Sequence, residues 1–441
     1  MKKTLTSNQS FSDLKSRIAF VLLGIVIFRM GVYIPIPFIN SEYLNYILSE
    51  REKSTDGLLS LFNMFSGGAL EKLSVFALGV MPYIASSIIF QILTVFSPAL
   101  IEIKKEGESG QKKISQYTRY ASLFFCILQA VAVSNYISNQ PGLVLLELEQ
   151  SLFFFYLSSV FSMTAGSMFL MWLGEQITEK GIGNGISLII FSGIVANLPL
   201  DISTLIFQAR QGITSYFNVW LFFILLLVIV FFVVFIERSQ RKITIHYVRR
   251  QQGRRIYAPQ LSHLPLKLNM SGVIPPIFAS SVLMIPGLLS SWLSSFDLFS
   301  SLRTIGEILQ PGTFLYIIIF SVVNIFFCFF YTSLVFSSKE TADNLKKSGA
   351  FIQGVRPGKH TANYIDSIMK KLTMAGSLYI TSVCLVPILV INFFGNDFSF
   401  SLTGTSLLIV VVVIMDFISQ IQSSLMSTKY DSLIRKANLI N

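Results

Sequence analysis

The sequence predicts an all-α integral membrane fold, with ten transmembrane helices in two pseudo-symmetric five-helix halves of inverted topology. Three observations predict it: the composition, the lengths of the apolar runs and the placement of the basic residues. Of 441 residues, 52% are apolar and only 13% are charged, and the mean hydropathy is +0.64. Soluble domains carry roughly 25% charge, so the solvent for most of this chain is a bilayer.

A hydrocarbon core of about 30 Å takes about 20 apolar residues in helical form. Runs of this kind fall at 18–38, 76–98, 120–137, 152–174, 185–199, 216–236, 272–292, 312–334, 372–394 and 402–420. The fifth is short. The N-terminal arm is polar and basic, and the first run leads into Pro35 and Pro37 without a small-residue cleavage site, so no cleavable signal is expected.

The loops alternate in charge. One side of the membrane collects 28 Lys and Arg and the other five, with Arg29 inside the first span. By the positive-inside rule both termini are expected in the cytoplasm. The net charge of +11 then reads as a cytosolic surface, dominated by loops 237–271 and 335–371, and not as a nucleic-acid-binding domain. Ten spans divide into an N-terminal half, 18–199, and a C-terminal half, 200–420, between a cytosolic arm, 1–17, and a cytosolic tail, 421–441. An odd number of spans per half inverts one relative to the other about an axis in the membrane plane.

The chemistry of most enzymes is missing. Charges within the spans are few, namely Arg29 and Asp416, with Glu175 and Glu237 at helix ends. Such charges are costly, about 2.5–3.5 kcal/mol each on insertion scales, so each needs a partner or a function. They form no carboxylate dyad, Ser–His pair or proton relay. Cys126, Cys328 and Cys384 sit in separate apolar runs and have no metal-ligand spacing; no metal or cofactor is expected. The Gly181–Gly185 stretch lacks the Lys-Ser/Thr of a phosphate loop. A secondary transporter of a small solute remains a rival, since it too would use inverted halves, but it would need a polar site at the midplane.

The loops carry the identification. Residues 61–75, including Phe62, Asn63, Met64, Phe65, Ser66, Gly67 and Gly68, are too Gly-rich to span and too apolar for a solvated loop. A re-entrant segment fits this pattern, and so does an interfacial amphipathic helix. Further on come Glu102–Gly110, Gly174–Glu179 leading into Gly183–Ser187, Arg249–Arg255, Glu340–Gly349 and Gly354–Gly358. These segments, in this order and spacing, resemble the SecY family of protein-conducting channels over nearly the whole chain.

The resemblance implies an hourglass pore between the halves that passes unfolded secretory proteins and releases transmembrane segments sideways into lipid. It implies a plug helix at 61–75 and a waist ringed by Val80, Ile84, Ile186, Ile190, Ile277 and Ile409. Val80 stands where the family pattern has Ile, one methylene shorter. A ring of branched apolar groups can exclude water and ions while holding no passing side chain tightly. The lateral gate would lie between the second and seventh spans, at Ser86, Ser87, Gln91, Pro276 and Phe278. Pro275 and Pro276 read as a kink in the seventh span. Docking would fall to Arg249, Arg250, Arg254, Arg255, Lys346, Lys347, Arg356 and Lys359. The partners implied are the small membrane subunits SecE and SecG, the SecA motor ATPase, the ribosome, signal sequences with their nascent chains, and membrane lipids.

Overall fold

A computed structural model describes residues 7–40, 43, 63, 65–139, 142–144, 152–212, 215–247, 251–252, 255–256, 261–293, 313–394 and 404–438. The first half of the chain forms α1 (Ser7–Gly31), α2 (Met81–Phe96), α3 (Pro98–Lys105), α4 (Glu108–Ser138), α5 (Leu152–Lys180) and α6 (Gly185–Arg210). Then follow α7 (Tyr216–Glu237), the strands β1 (Gln240–Tyr247), β2 (Gln251–Gln252), β3 (Arg255–Ile256) and β4 (Leu261–Lys267), and α8 (Ile274–Leu293). The chain closes with α9 (Phe314–Val335), α10 (Ser338–Lys347), β5 (Ala350–Phe351), α11 (Lys359–Phe394) and α12 (Gly404–Asn438).

A helix therefore occupies each of the ten apolar runs. Seven of these, α4, α5, α6, α7, α9, α11 and α12, are long and apolar enough to cross a bilayer by themselves. The α2–α3 pair qualifies as an eighth span broken by a 96° bend. The bend has a local cause, because Pro98 holds Ser97 in the extended region (φ −89°, ψ 118°) and so ends α2. α1 and α8 complete the ten.

Boundaries differ from the apolar runs where polar residues extend a helix or turns interrupt it. α6 continues past 199 to Arg210, with Pro199 inside it, through a mixed stretch that carries Asp201 and Arg210 and buries Leu205 and Ala209. α1 ends at Gly31, and the chain then turns so that Pro35 bridges Ser74. Ile36 N donates to Leu73 O (2.9 Å) and Val75 N to Ile34 O (3.0 Å).

Apolar side chains face outward as well as inward. α7 exposes Phe217, Trp220, Phe231 and Phe235 on an outer surface that only acyl chains would solvate. Polar side chains turn inward and pair: Asn324 Nδ2 donates to Thr381 Oγ1 (3.0 Å), joining α9 to α11. On the basic side, Arg119 grips Glu175 in a two-pronged ion pair (3.0 and 2.8 Å) that ties α4 to α5.

The two halves meet along two seams. α2 packs against α8 on one side, and α6 packs against α7 and α12 on the other. One apolar core, including Ile84, Leu188, Ile277 and Val412, runs continuously across both.

The two long basic loops are not separate. β4, β1 and β5 form one antiparallel sheet, in which His246 pairs with Phe351 and Tyr247 with Ala350. A small core of Ile243, Leu266, Ile352, Ile365 and Met369 seals the sheet against α11. The period-two pattern in 240–247 and 261–267 carries this hairpin, with Ile243 and Ile245 turned inward.

Candidate functional site

The six residues expected at the waist, a cavity beside them, the Gly-rich segment and the α2–α8 seam adjoin one apolar cluster. Val80, Ile84, Ile190, Ile277 and Ile409 are all buried in the same apolar cluster, and Ile186 is half-buried against it. They come from the turn before α2, from α2, α6, α8 and α12, so both halves contribute. The structure brings these six into one core, although that core also holds many other side chains.

On the basic side of this cluster lies a cavity of about 230 Å³, walled by Asn184, Ser187, Glu237, Lys267, Asn269 and Asp416. Its floor is continuous with the waist: Ser187 follows Ile186, Val273 lies one turn from Ile277, and Val413 one turn from Ile409. The mouth is polar and the floor apolar. Lys267 Nζ lies 3.9 Å from Asp416 Oδ1, which gives Asp416 a partner at the rim.

On the opposite side sits the Gly-rich segment. Phe62 and Met64 lie outside the described residues. Asn63, Phe65 and Ser66 are helical, after which the chain turns repeatedly up to α2. Phe65 and Ser66 are each 1% exposed, so the segment is interior rather than interfacial. Asn63 organises it by donating from Nδ2 to Glu71 Oε2 (2.6 Å) and accepting from Glu71 N (3.1 Å), while its carbonyl accepts from Gly68 N (2.9 Å).

Glycine is required where this segment meets α6. Gly67 has φ +68°, and a Cβ there would stand 2.7 Å from the Cα of Gly193. Arg29, the charge inside α1, donates from Nη1 to the Gly67 carbonyl (3.0 Å). The sequence singled out both Arg29 and Gly67 but not their pairing, and gave no notice of Gly193. No local pattern announced Gly193, because the backbone it meets lies far away in sequence.

At the α2–α8 seam, Ser86 is fully buried and its hydroxyl donates to Pro82 O (2.8 Å). Gln91 Nε2 donates to Ser87 Oγ (3.0 Å), leaving its buried Oε1 without a protein partner. Phe278 packs edge-on to Phe327 (5.8 Å) and Tyr331 (6.5 Å) of α9. Pro276 is buried, but the expected kink is absent. α8 begins at Ile274, so both prolines occupy its first turn, where no intrahelical N–H bond is due.

Among the docking residues, Lys346 and Lys347 are exposed at the end of α10, and Arg356 and Lys359 are exposed beyond β5. Arg356 stands on a tight tip between Gly354 (φ +82°) and Gly358 (φ +100°), with its carbonyl held by Thr361 Oγ1 (2.9 Å). Arg249, Arg250 and Arg254 lie outside the described residues, as does the side chain of Arg255, whose backbone forms β3.

Comparison with known proteins agrees with this geometry. Residues 74–418 match the sequence profile of SecY. The chain is 53% identical to the protein translocase subunit SecY of Escherichia coli K12 over 97% of its length and 95% of that protein. It is 51% identical to its counterpart in Vibrio cholerae, over 98% and 97% respectively. Among solved structures, one described as a protein conducting channel superposes with a TM-score of 0.65 at 16% identity, over 94% of this chain and 93% of that one. The Sec61 chain of a canine ribosome-channel complex from the endoplasmic reticulum gives 0.65 at 15%, with the same coverage. Near-complete coverage at this identity, on a fold with these two seams and this seated segment, places the chain in the SecY family.

Proposed function

We propose that this chain is the pore-forming subunit of a protein-conducting channel in a bacterial cytoplasmic membrane, with both termini in the cytoplasm. It passes unfolded secretory proteins across and releases transmembrane segments sideways into lipid. The observation that supports the reading is the continuity of a polar cavity, an apolar cluster fed by both halves, and a Gly-rich segment seated against α6. Val80, Ile84, Ile186, Ile190, Ile277 and Ile409 act as the gasket, 61–75 as the plug, and the α2–α8 seam as the gate. Residues 18–199 and 200–420 are the two halves that part. A small-solute carrier would need a midplane polar site, whereas the side chains converging on this waist are apolar.

The partners follow from the same reading: one or two small single-span subunits such as SecE and SecG, the SecA motor and the ribosome. The name of the canine relative, a ribosome-channel complex, supports the last. Depleting the chain is expected to accumulate uncleaved secretory precursors. Normal precursor processing with loss of one solute's uptake would overturn the reading.

Docking to the motor is centred on the exposed tip at Arg356. Arg356→Glu is expected to slow motor-driven export about tenfold, the effect of removing one charge-assisted hydrogen bond. The variant should reach the membrane normally, because the tip buries nothing that the bundle needs. Unchanged export in a motor-driven vesicle assay would remove Arg356 from the docking surface.

A further inference from the structure

The link between the basic-face sheet and the gate helix is a single buried asparagine. Asn269 is 4% exposed and lies between β4 and α8. Its Nδ2 donates to Glu237 Oε1 at the end of α7 (2.6 Å) and to the Gly272 carbonyl (3.2 Å). Its Oδ1 accepts from Ser271 Oγ (2.9 Å) and from Gly272 N (3.0 Å). All four of its hydrogen-bonding capacities are used.

The placement of these bonds matters. Gly272 lies just before α8, outside the helix, so its carbonyl has no helical donor; Asn269 supplies one. The backbone beside it is clamped, since Leu268 N donates to Ser239 O (3.1 Å) and Gly376 of α11 leaves room for little more than the Leu268 carbonyl. The basic-side end of α8 is thereby fastened to α7, in its own half, while its flank rests on α2 of the other half.

We propose that Asn269 and Glu237 form a latch that holds the gate helix α8 to the C-terminal half and so stabilises the closed seam. Asn269 is a positioning residue that acts on the gate through α8. Without the latch, the first turn of α8 is free to shift and the carboxylate of Glu237 loses its donor. The closed state then needs less help from a signal sequence to open. This inference rests on the reading of the α2–α8 seam as the gate.

The test uses the full channel complex in membrane vesicles. It compares export of a precursor with an intact signal against the same precursor with a charge inserted in its signal. Glu237→Ala is expected to raise the relative export of the defective precursor about tenfold, the effect of losing one hydrogen bond to a charged group. Asn269→Ala removes that bond and three others, and should raise it at least as much. Glu237→Gln keeps an acceptor for Asn269 but not its charge and should give a smaller rise than Glu237→Ala. The double alanine variant should match Asn269→Ala alone, because that change already removes the bond to Glu237. An unchanged ratio with normal export of the intact precursor overturns the latch, as do single effects that simply multiply. If a disulfide between α2 and α8 leaves export unimpaired, the gate itself is misplaced; a blocking disulfide with an unchanged ratio sinks only the latch.

Discussion

Gly67→Val is expected to make the closed channel leak ions while leaving it able to export. A β-branched residue at φ +68° is strained, and its side chain would also meet the Gly193 backbone, which leaves a Cβ only 2.7 Å. The left-handed conformation costs about 1–2 kcal/mol for an L-residue, and overpacking adds about 1–3 kcal/mol. Together, roughly 3 kcal/mol corresponds to about a hundredfold rise in the population with the segment unseated. Anion flux into vesicles carrying the resting channel reads this directly. Gly212→Ala serves as the control, because Gly212 has φ +76° but nothing within 4 Å of its Cβ direction. Equal, low flux from both variants would show that 61–75 does not seal the pore.

A disulfide joining α2 to α8 is expected to abolish export of signal-bearing precursors, and reduction should restore it. The reasoning is one of partitioning. A signal with about ten Leu gains roughly 5 kcal/mol in lipid, at about −0.5 kcal/mol per residue. Shifting a two-state equilibrium from 1:99 to 99:1 takes about 5.5 kcal/mol, so this gain is of the right size to open the seam without a chemical step. A covalent bond across the seam removes that opening altogether. It also preserves the buried contacts of Ser86 and Phe278, so loss of export would not reflect unfolding. Unimpaired export through the locked seam would move the gate elsewhere.

The ten helices were legible because bilayer thickness imposes a length that apolar runs report directly. What lies beyond the hydrocarbon was not legible by that measure. Residues 200–210 extend α6 with Asp201 and Arg210, which a search for apolar length cannot count. The prolines at 275–276 misled in a different way: their residue type was visible, but their effect depends on whether they fall inside a helix or at its start. The basic loops hid a sheet, since charge dominated the reading while Ile243 and Ile245 alternated beneath it. Seating of the Gly-rich segment joins Arg29, Gly67 and Gly193, which are far apart in sequence, so no local pattern announced it.

The sheet on the basic face also constrains how the chain is made. Synthesis runs from the N-terminus, so β1 and β4 exist as a hairpin well before β5 emerges. During that interval one edge of β1 is unpaired and open to wrong partners. β5 reaches that edge only after α8 and α9 have crossed the bilayer as a pair and returned the chain to the same face. A chain in which only one helix of this pair crosses leaves β5 on the far side of the membrane, and the hairpin stays incomplete. Closure of the three-stranded sheet thus requires β4 and β5 to end on one face of the membrane, which a single crossing between them prevents.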